Sequence, residues 1–527
     1  MNTNKIFKWA AGALCLTAAV GTTSCADSFL DREPDGYYAT KDQIAEAAKW
    51  NPSTMLGTMN GVNTKLTQWR AGGSSNQDDF GQKSVDIATD LMSADMVFSR
   101  GCNYGWFRND ARLINAYSTA NRTAIIWNTY YRIIFATNNS LELLGAEEPE
   151  NPEQKMYWAA AKTARAFAYY NLVINYARSY DKSKDMKILP LITSLVSSPQ
   201  APAKVSEIYD FILSELDEAY EAYANAANEG YGFSTIDMPN FDVNQIIKAY
   251  TLIYRGLPAD GQNKPLSDYQ MAYNAATKAI TLATNINGKS ILPAAQLYDG
   301  FNSVDNVSWL WGIDIDNLST GGLCTFWGMM DYYTYSYAAA GDVKSISAEL
   351  FNEIPDSDGR KSWFGFYSGA NFVQRPDLLL PVNKFYDSGR VPMGDRNWRN
   401  DIHFFRIEEA YLLAAEAAVR MGDKDKAIEA LMPLLAERDA NKMMTLPTLS
   451  LEQLMDEIYF NWRVEFWGEG KSLQTARRFK KTIERPSNDY YGGPIGPKSY
   501  NDKSFYFSIP RYDLENNPLM VDADIIQ

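Results

Sequence analysis

Histidine is almost absent from this sequence: one residue, His403, in 527. A Ser-His-Asp triad or a Cys-His pair would have to use that residue, and zinc sites built on two or more imidazoles cannot form. His403 precedes the apolar pair Phe404-Phe405, which reads as a packed helix-start position rather than a catalytic one. Cysteine is also scarce. The four present, Cys15, Cys25, Cys102 and Cys324, are too few for a disulfide framework in so long a chain. Positive charge is outweighed by negative, giving a formal net charge of -14, so the surface repels phosphate backbones and nucleic acid is not an expected partner. Past the N-terminus no run of twenty apolar residues reads as a membrane-spanning helix. There is no P-loop, no dinucleotide-binding glycine fingerprint and no zinc motif. No cofactor and no metal are expected.

What is present begins with an address. Residues 1–24 read as a secretory signal, with Lys5 and Lys8 ahead of a short apolar stretch from Trp9 to Val20. Small residues Thr22, Thr23 and Ser24 then lead to Cys25, which resembles a lipoprotein cleavage site. Thr22 stands where the usual lipobox has leucine. Cys25 is the expected lipidation site, and acyl chains would hold the protein at a membrane without a spanning helix. The mature chain, residues 25–527, is expected to form one domain.

Helical periodicity dominates that chain. Ala161, Ala164, Ala168 and Leu172 share one helix face. Ile208, Ile212, Leu216 and Ala219 share another, with Ser206 as its expected N-cap, and Tyr269, Ala272, Ala276 and Ala279 a third. The clearest unit runs from Phe404 to Asp439. One helix ends near Met421, Gly422 suits the left-handed position after it, and Asp423 caps the next. This is a helical hairpin of tetratricopeptide-like character. The expected fold class is therefore mostly α, a scaffold of such hairpins with an irregular, loop-rich region carrying the ligand site. Glycine, proline and aromatics mark that region at about 288–399, with further irregular zones at Ser99–Asn121 and Tyr490–Pro497.

Motifs along the chain resemble those of SusD/RagB-like outer-membrane nutrient-binding lipoproteins of Bacteroidetes. They are CADSFLDREP from Cys25, DDFGQKSVDIATDLMSADMV from Asp78, WNTYYRIIFATNN from Trp127 and KTARAFAYYNLV from Lys162. RIEEAYLLAAEA from Arg406, NWRVEFWGEGKSL from Asn461 and FSIPRYDLENNP from Phe507 complete the series. The resemblance implies four tetratricopeptide-like hairpins carrying an irregular region, and a surface-exposed, lipid-anchored protein at the outer membrane. It implies a glycan ligand, with peptide as the alternative, and delivery to a TonB-dependent SusC-like porin. It implies binding, not catalysis.

A sugar ring presents a face of C–H groups, which Trp and Tyr match with a flat apolar surface and a polar tip. The 13 Trp and 33 Tyr supply many such faces. The first candidate loop, Cys102 to Asp110, offers Tyr104, Trp106 and Phe107 beside Asn103, Arg108 and Asn109; in relatives the loop after the corresponding helix contributes to the ligand site. The second, Cys324 to Tyr337, offers Trp327, Tyr332, Tyr333, Tyr335 and Tyr337, although alternation of the last three also suits one buried face of a strand. The candidate ligand-binding residues are Asn103, Tyr104, Trp106, Arg108, Trp327, Tyr332 and Tyr335. Trp309–Asp316 reads as a short core strand, and Asp314 with Asp316 is weak evidence for calcium. Cys102 and Cys324 open the two aromatic loops, so a disulfide between them would clamp both at one site. A glycosidase needs two carboxylates. Glu465 with Glu469 and Glu408 with Glu409 are available, but Arg463 and Arg406 lie close in sequence and structural ion pairs are the expected reading.

Overall fold

The computed structural model describes residues 39–195, 198–257, 266–315, 321–365, 378–391, 393–394 and 398–525. The signal segment 1–24, Cys25 and Asp316 lie outside the described residues. The chain divides into two units, Met1–Thr54 and Met55–Gln527. In the first, helix α1 (Lys41–Trp50) begins at a capping box in which Thr40 and Gln43 exchange side chain-to-backbone hydrogen bonds.

The second unit is mostly helical. Its main helices are α2 (Met55–Thr67), α3 (Gln82–Ser93), α4 (Asn121–Leu144), α5 (Pro152–Tyr176), α6 (Val205–Asn228) and α7 (Phe241–Arg255), followed by α8 (Asp268–Asn285), α9 (Ile407–Arg420), α10 (Lys424–Arg438), α11 (Leu451–Glu465) and α12 (Ser472–Arg478). From α4 to α10 each of α4, α5, α6, α7, α8, α9 and α10 packs on the next, which is the serpentine of a helical-repeat scaffold. The apolar faces read from the periodicity are the packed ones. Ala161, Ala164, Ala168 and Leu172 are buried in α5, and Ile208, Ile212, Leu216 and Ala219 in α6; Ala272, Ala276 and Ala279 are buried in α8, with Tyr269 only half-buried. The α9–α10 turn forms as expected. Gly422 has φ +79°, and Asp423 accepts from Lys426 N–H. Ser206 is not an N-cap, because α6 starts two residues earlier than that cap requires: strand pairing brings Lys204 to the cap position and Glu207 accepts its N–H at 2.9 Å.

Among the described residues, three two-stranded antiparallel ladders join separate segments. Strands β1 (Met96–Val97) and β5 (Ser345–Ile346) pair, as do β2 (Lys187–Pro190) with β3 (Pro202–Lys204) and β4 (Trp309–Ile313) with β6 (Ile402–Arg406). The core reading of Trp309 to Ile313 is met by β4. His403 differs from its expected helix start: it lies in β6 opposite Gly312, because α9 begins only at Ile407.

Behind this ladder sits a charged core. Arg360, Lys384, Arg406 and Arg438 face Asp358, Glu408, Glu465 and Glu469, all buried, and the charges balance. Burial alone would raise the Glu469 carboxyl, but Arg406 and Lys384 hold it well below the usual range. Glu465 is lowered against its burial by Arg438 and Arg406. The carboxylate pairs weighed above are thus ion-paired scaffold, joining β6, α9, α10 and α11.

His403 closes this cluster. Its Nε2 lies 2.8 Å from Glu469 Oε2 and its ring packs on Trp309 at 4.7 Å. Burial, with the charge of Lys83, lowers its pKa to about 3, against the pull of Glu469. The ring is neutral when folded, whereas unfolding lets it protonate below about pH 6.5. Its contribution to stability is full above that pH and is lost as pH falls towards 3, at up to about 1.4 kcal/mol per pH unit. Urea unfolding of His403→Gln between pH 7 and 5 is expected to show a shallower acid decline than wild type. Equal slopes would rule out a buried neutral imidazole.

Candidate functional site

The β1–β5 ladder delivers two loops to one place. The chain leaves β1 into the 98–107 loop and enters β5 from the 331–344 loop, so their ends are held together by backbone pairing. Asp342 then receives the backbone N–H groups of Asn103 and Tyr104, and the Asn103 amide donates to Ala340 O at 2.7 Å. Gly341 permits this docking. It has φ +121°, and a Cβ there would lie 2.2 Å from Asn103 Nδ2. Lys344 is buried below, donating to Met329 O at 2.7 Å, and burial lowers its pKa to about 8.

The result is an aromatic ledge. Tyr337 packs edge-on against Tyr104 at 4.8 Å and against Trp106 at 6.3 Å, and its hydroxyl meets the Gln77 side chain. Tyr104 is 55% exposed and Trp106 half-buried. The third irregular zone joins them. Tyr490 N–H donates to Phe98 O at 2.8 Å, the Tyr491 hydroxyl accepts from Cys102 N–H at 3.1 Å, and Tyr490 is 63% exposed.

Beside Trp106 opens a cavity of about 450 Å³. The side chains of Asn76, Asn109, Asn115, Asn121 and Tyr117 line it with Trp106, giving donors and acceptors next to a flat ring. Its floor is an ion cluster in which Arg122 Nη2 lies 2.7 Å from Asp78 and 3.2 Å from Asp110. Arg122 also lies over the Phe107 ring at 4.8 Å, which helps hold Phe107 in a left-handed backbone at φ +61°. That turn sets the direction of the Trp106 side chain.

Of the candidate residues, Asn103, Tyr104 and Trp106 come together here, and Arg108 is exposed on the same loop. Trp327 does not join them. It is 1% exposed, packs on Phe326 and Phe385, and donates its indole N–H to Asp401 O at 3.1 Å, so its ring has no face for a ligand. Tyr332 and Tyr335 are half-buried, and Tyr332 packs on the Tyr333, Val343 and Leu380 cluster. The 331–337 segment is a series of bends, not a strand: the Asp331 carboxylate gathers the N–H groups of Tyr333, Thr334 and Asp387. Tyr490 and Tyr117 are additions, and Tyr337, offered in the second segment, is buried and backs the ledge behind Tyr104 and Trp106. The pair Tyr490-Tyr491 beside Gly492-Gly493-Pro494 was the sequence signal available for one of them.

The proposed Cys102–Cys324 bridge is absent; both are free thiols. Backbone pairing and Asp342 do the clamping instead. Cys102 Sγ lies 3.1 Å from the Tyr491 hydroxyl, while burial pushes the Cys324 thiol up to about 11. Reductant is expected to leave the melting temperature unchanged, and alkylation of the native protein to label Cys102 ahead of Cys324. A mass two units below that of the dithiol, restored by reductant, would contradict this.

Residues 268–522 match the SusD family, and residues 46–234 match the family described as starch-binding associating with outer membrane. With its helical fold and motifs in order, the chain belongs to the SusD/RagB-like family. Its fold is similar to that of a SusD-like carbohydrate binding protein from Bacteroides vulgatus, at TM-score 0.72 and 21% identity, over 89% of this chain and 97% of that one. A SusD superfamily protein from Bacteroides thetaiotaomicron has TM-score 0.70 and 18% identity, over 88% of this chain and 98% of its own. Surface glycan-binding protein A from Bacteroides uniformis has TM-score 0.61 and 15% identity, over 89% of this chain and 99% of its own. No curated protein matches the sequence.

Proposed function

We propose that this chain is a cell-surface glycan-binding lipoprotein, anchored through Cys25, that captures oligo- or polysaccharide and hands it to a TonB-dependent SusC-like porin at the outer membrane. The observation that carries the reading is the juxtaposition of the Tyr104, Trp106 and Tyr337 ledge with an amide-lined cavity. Aromatic faces take the C–H side of a pyranose, and neighbouring amides take its hydroxyls. Family membership adds weight, as do the matched family's starch-binding description and the names of similar structures. The protein does no chemistry in this reading. His403 is neutral and buried, and Glu465 and Glu469 are engaged by arginines, so neither supplies the free acid and base that glycoside cleavage needs.

Titration calorimetry across plant, host and microbial glycans is expected to find a saccharide that binds without release of reducing ends. Release of reducing ends would overturn the non-enzymatic reading, and binding of peptides but no glycan would overturn the ligand class. Acyl labelling lost in Cys25→Ser, and co-purification with a porin from outer membranes, test the remaining parts.

A further inference from the structure

A second cavity, of about 270 Å³, is built differently. It lies where α5, α7 and α12 end, and its walls include Arg178, Arg255, Arg420, Arg477, Arg478 and Lys480. In a chain of net charge -14 this is a concentration of positive charge against the overall sign. Part of it is neutralised. Arg255 pairs with Asp268 at 2.8 Å and Asp210 at 3.0 Å, and Arg420 and Arg478 share Glu416 at 2.9 and 3.1 Å. Among the described residues Arg178, Arg477 and Lys480 form no ion pair. One carboxylate on the wall, Asp181, is exposed and lies 3.6 Å from Lys182.

Arg477 is the informative member. It is 8% exposed, with its guanidinium 3.9 Å from the Tyr506 ring centroid, and among the described residues its one side-chain hydrogen bond is a 3.4 Å contact from Nη2 to Ala177 O. Its Nε is buried with no acceptor. With only that long contact to a neutral carbonyl, the Nη groups of the guanidinium would gain a stronger acceptor from an oxyanion in the cavity that Arg477 lines. Tyrosines 180, 209, 254, 269 and 506 share the walls; Tyr180, Tyr209 and Tyr506 are buried backing, whereas Tyr254 and Tyr269 are half-buried and keep ring surface open.

We propose that this cavity is a second binding site, selective for the charged group of an acidic saccharide: a carboxylate, as in a uronate, or a sulfate ester. Arg477, Arg178 and Lys480 hold the oxyanion, and Tyr254 and Tyr269 contact the ring. A tyrosine-walled cavity of about 270 Å³ suits a terminal or single acidic sugar better than an extended polyanion. The choice of a sugar as the carrier rests on the glycan-binding reading above; the oxyanion chemistry does not.

The test titrates the full mature protein with glucuronate, glucose 6-sulfate, glucose and inorganic sulfate. Wild type is expected to bind at least one acidic sugar, more weakly as salt rises, and not glucose at this site. Arg178→Gln with Lys480→Gln is expected to weaken that binding roughly tenfold or more, and Arg477→Gln likewise, while Trp106→Ala leaves it unchanged. The first pair lies at the cavity mouth and keeps the test valid if Arg477→Gln fails to fold. Preference between glucuronate and glucose 6-sulfate assigns the charged group. Equal affinity in the Arg178→Gln, Lys480→Gln variant overturns the proposal, as does no binding of either acidic sugar or binding of inorganic sulfate as tight as that of the sugars. Loss of neutral-glycan binding is read separately through Trp106→Ala, so the two sites fail independently.

Discussion

Arg406→Met is expected to destabilise the protein by about 3–5 kcal/mol, or to prevent its folding. Arg406 is fully buried and makes five contacts that methionine cannot replace. Nε and Nη2 donate to Glu469 at 3.0 Å each, Nη1 donates to Glu465 Oε1 at 3.1 Å and lies 3.1 Å from Glu408, and Nη2 also donates to Glu465 O at 3.1 Å. Removing it leaves an excess carboxylate in a space that excludes water. The cost is chiefly that of the orphaned charge, so Arg406→Met with Glu465→Gln should be less destabilised than the two single changes summed. Chemical denaturation of the four proteins measures this. A single-variant loss within about 1 kcal/mol would show that water or rearrangement rescues the cluster, and the balanced-core account would fall. The same cluster ties α9, α10 and α11 to β6, so its loss is expected to reach the whole scaffold.

Trp106→Ala is expected to do the reverse: to cost the protein little stability and most of its neutral-glycan affinity. A flat face removed from a sugar contact is worth roughly 2 kcal/mol, about thirtyfold in affinity. Trp106 is half-buried at a cavity wall, so truncation opens no sealed core void. Trp327→Ala is the matched contrast. It empties a packed site among Phe326 and Phe385 and should cost about 3–5 kcal/mol of stability. Any affinity it loses should track the fraction unfolded. Calorimetry with thermal unfolding of both variants separates the two. Full glycan affinity in a folded Trp106→Ala protein would remove the ledge as the binding site.

These two tryptophans show where sequence reading stops. Both stand in sequence stretches dense in aromatics with polar neighbours, and their local signals are alike. What separates them is contact with residues distant in the chain. Trp327 meets Phe385 and Asp401, whereas Trp106 meets Tyr337 and the rim of the 450 Å³ cavity. His403 makes the same point at the level of secondary structure. Its local surroundings read as the approach to a helix, and pairing with the 309–313 segment made it a strand. Tyr490 reached the ledge only because its backbone bonds to Phe98.

By itself the sequence determined the helices, their buried faces, the α9–α10 turn and the family, because these follow from spacing of 3–4 residues, from one glycine at positive φ, and from motifs in order. Tertiary structure alone decided which aromatics stay open, that Cys102 and Cys324 remain apart as thiols, and that the glutamates of α9 and α11 face inward. Those outcomes depend on which distant loops and charges meet, and contact between segments hundreds of residues apart leaves no period in the chain to read.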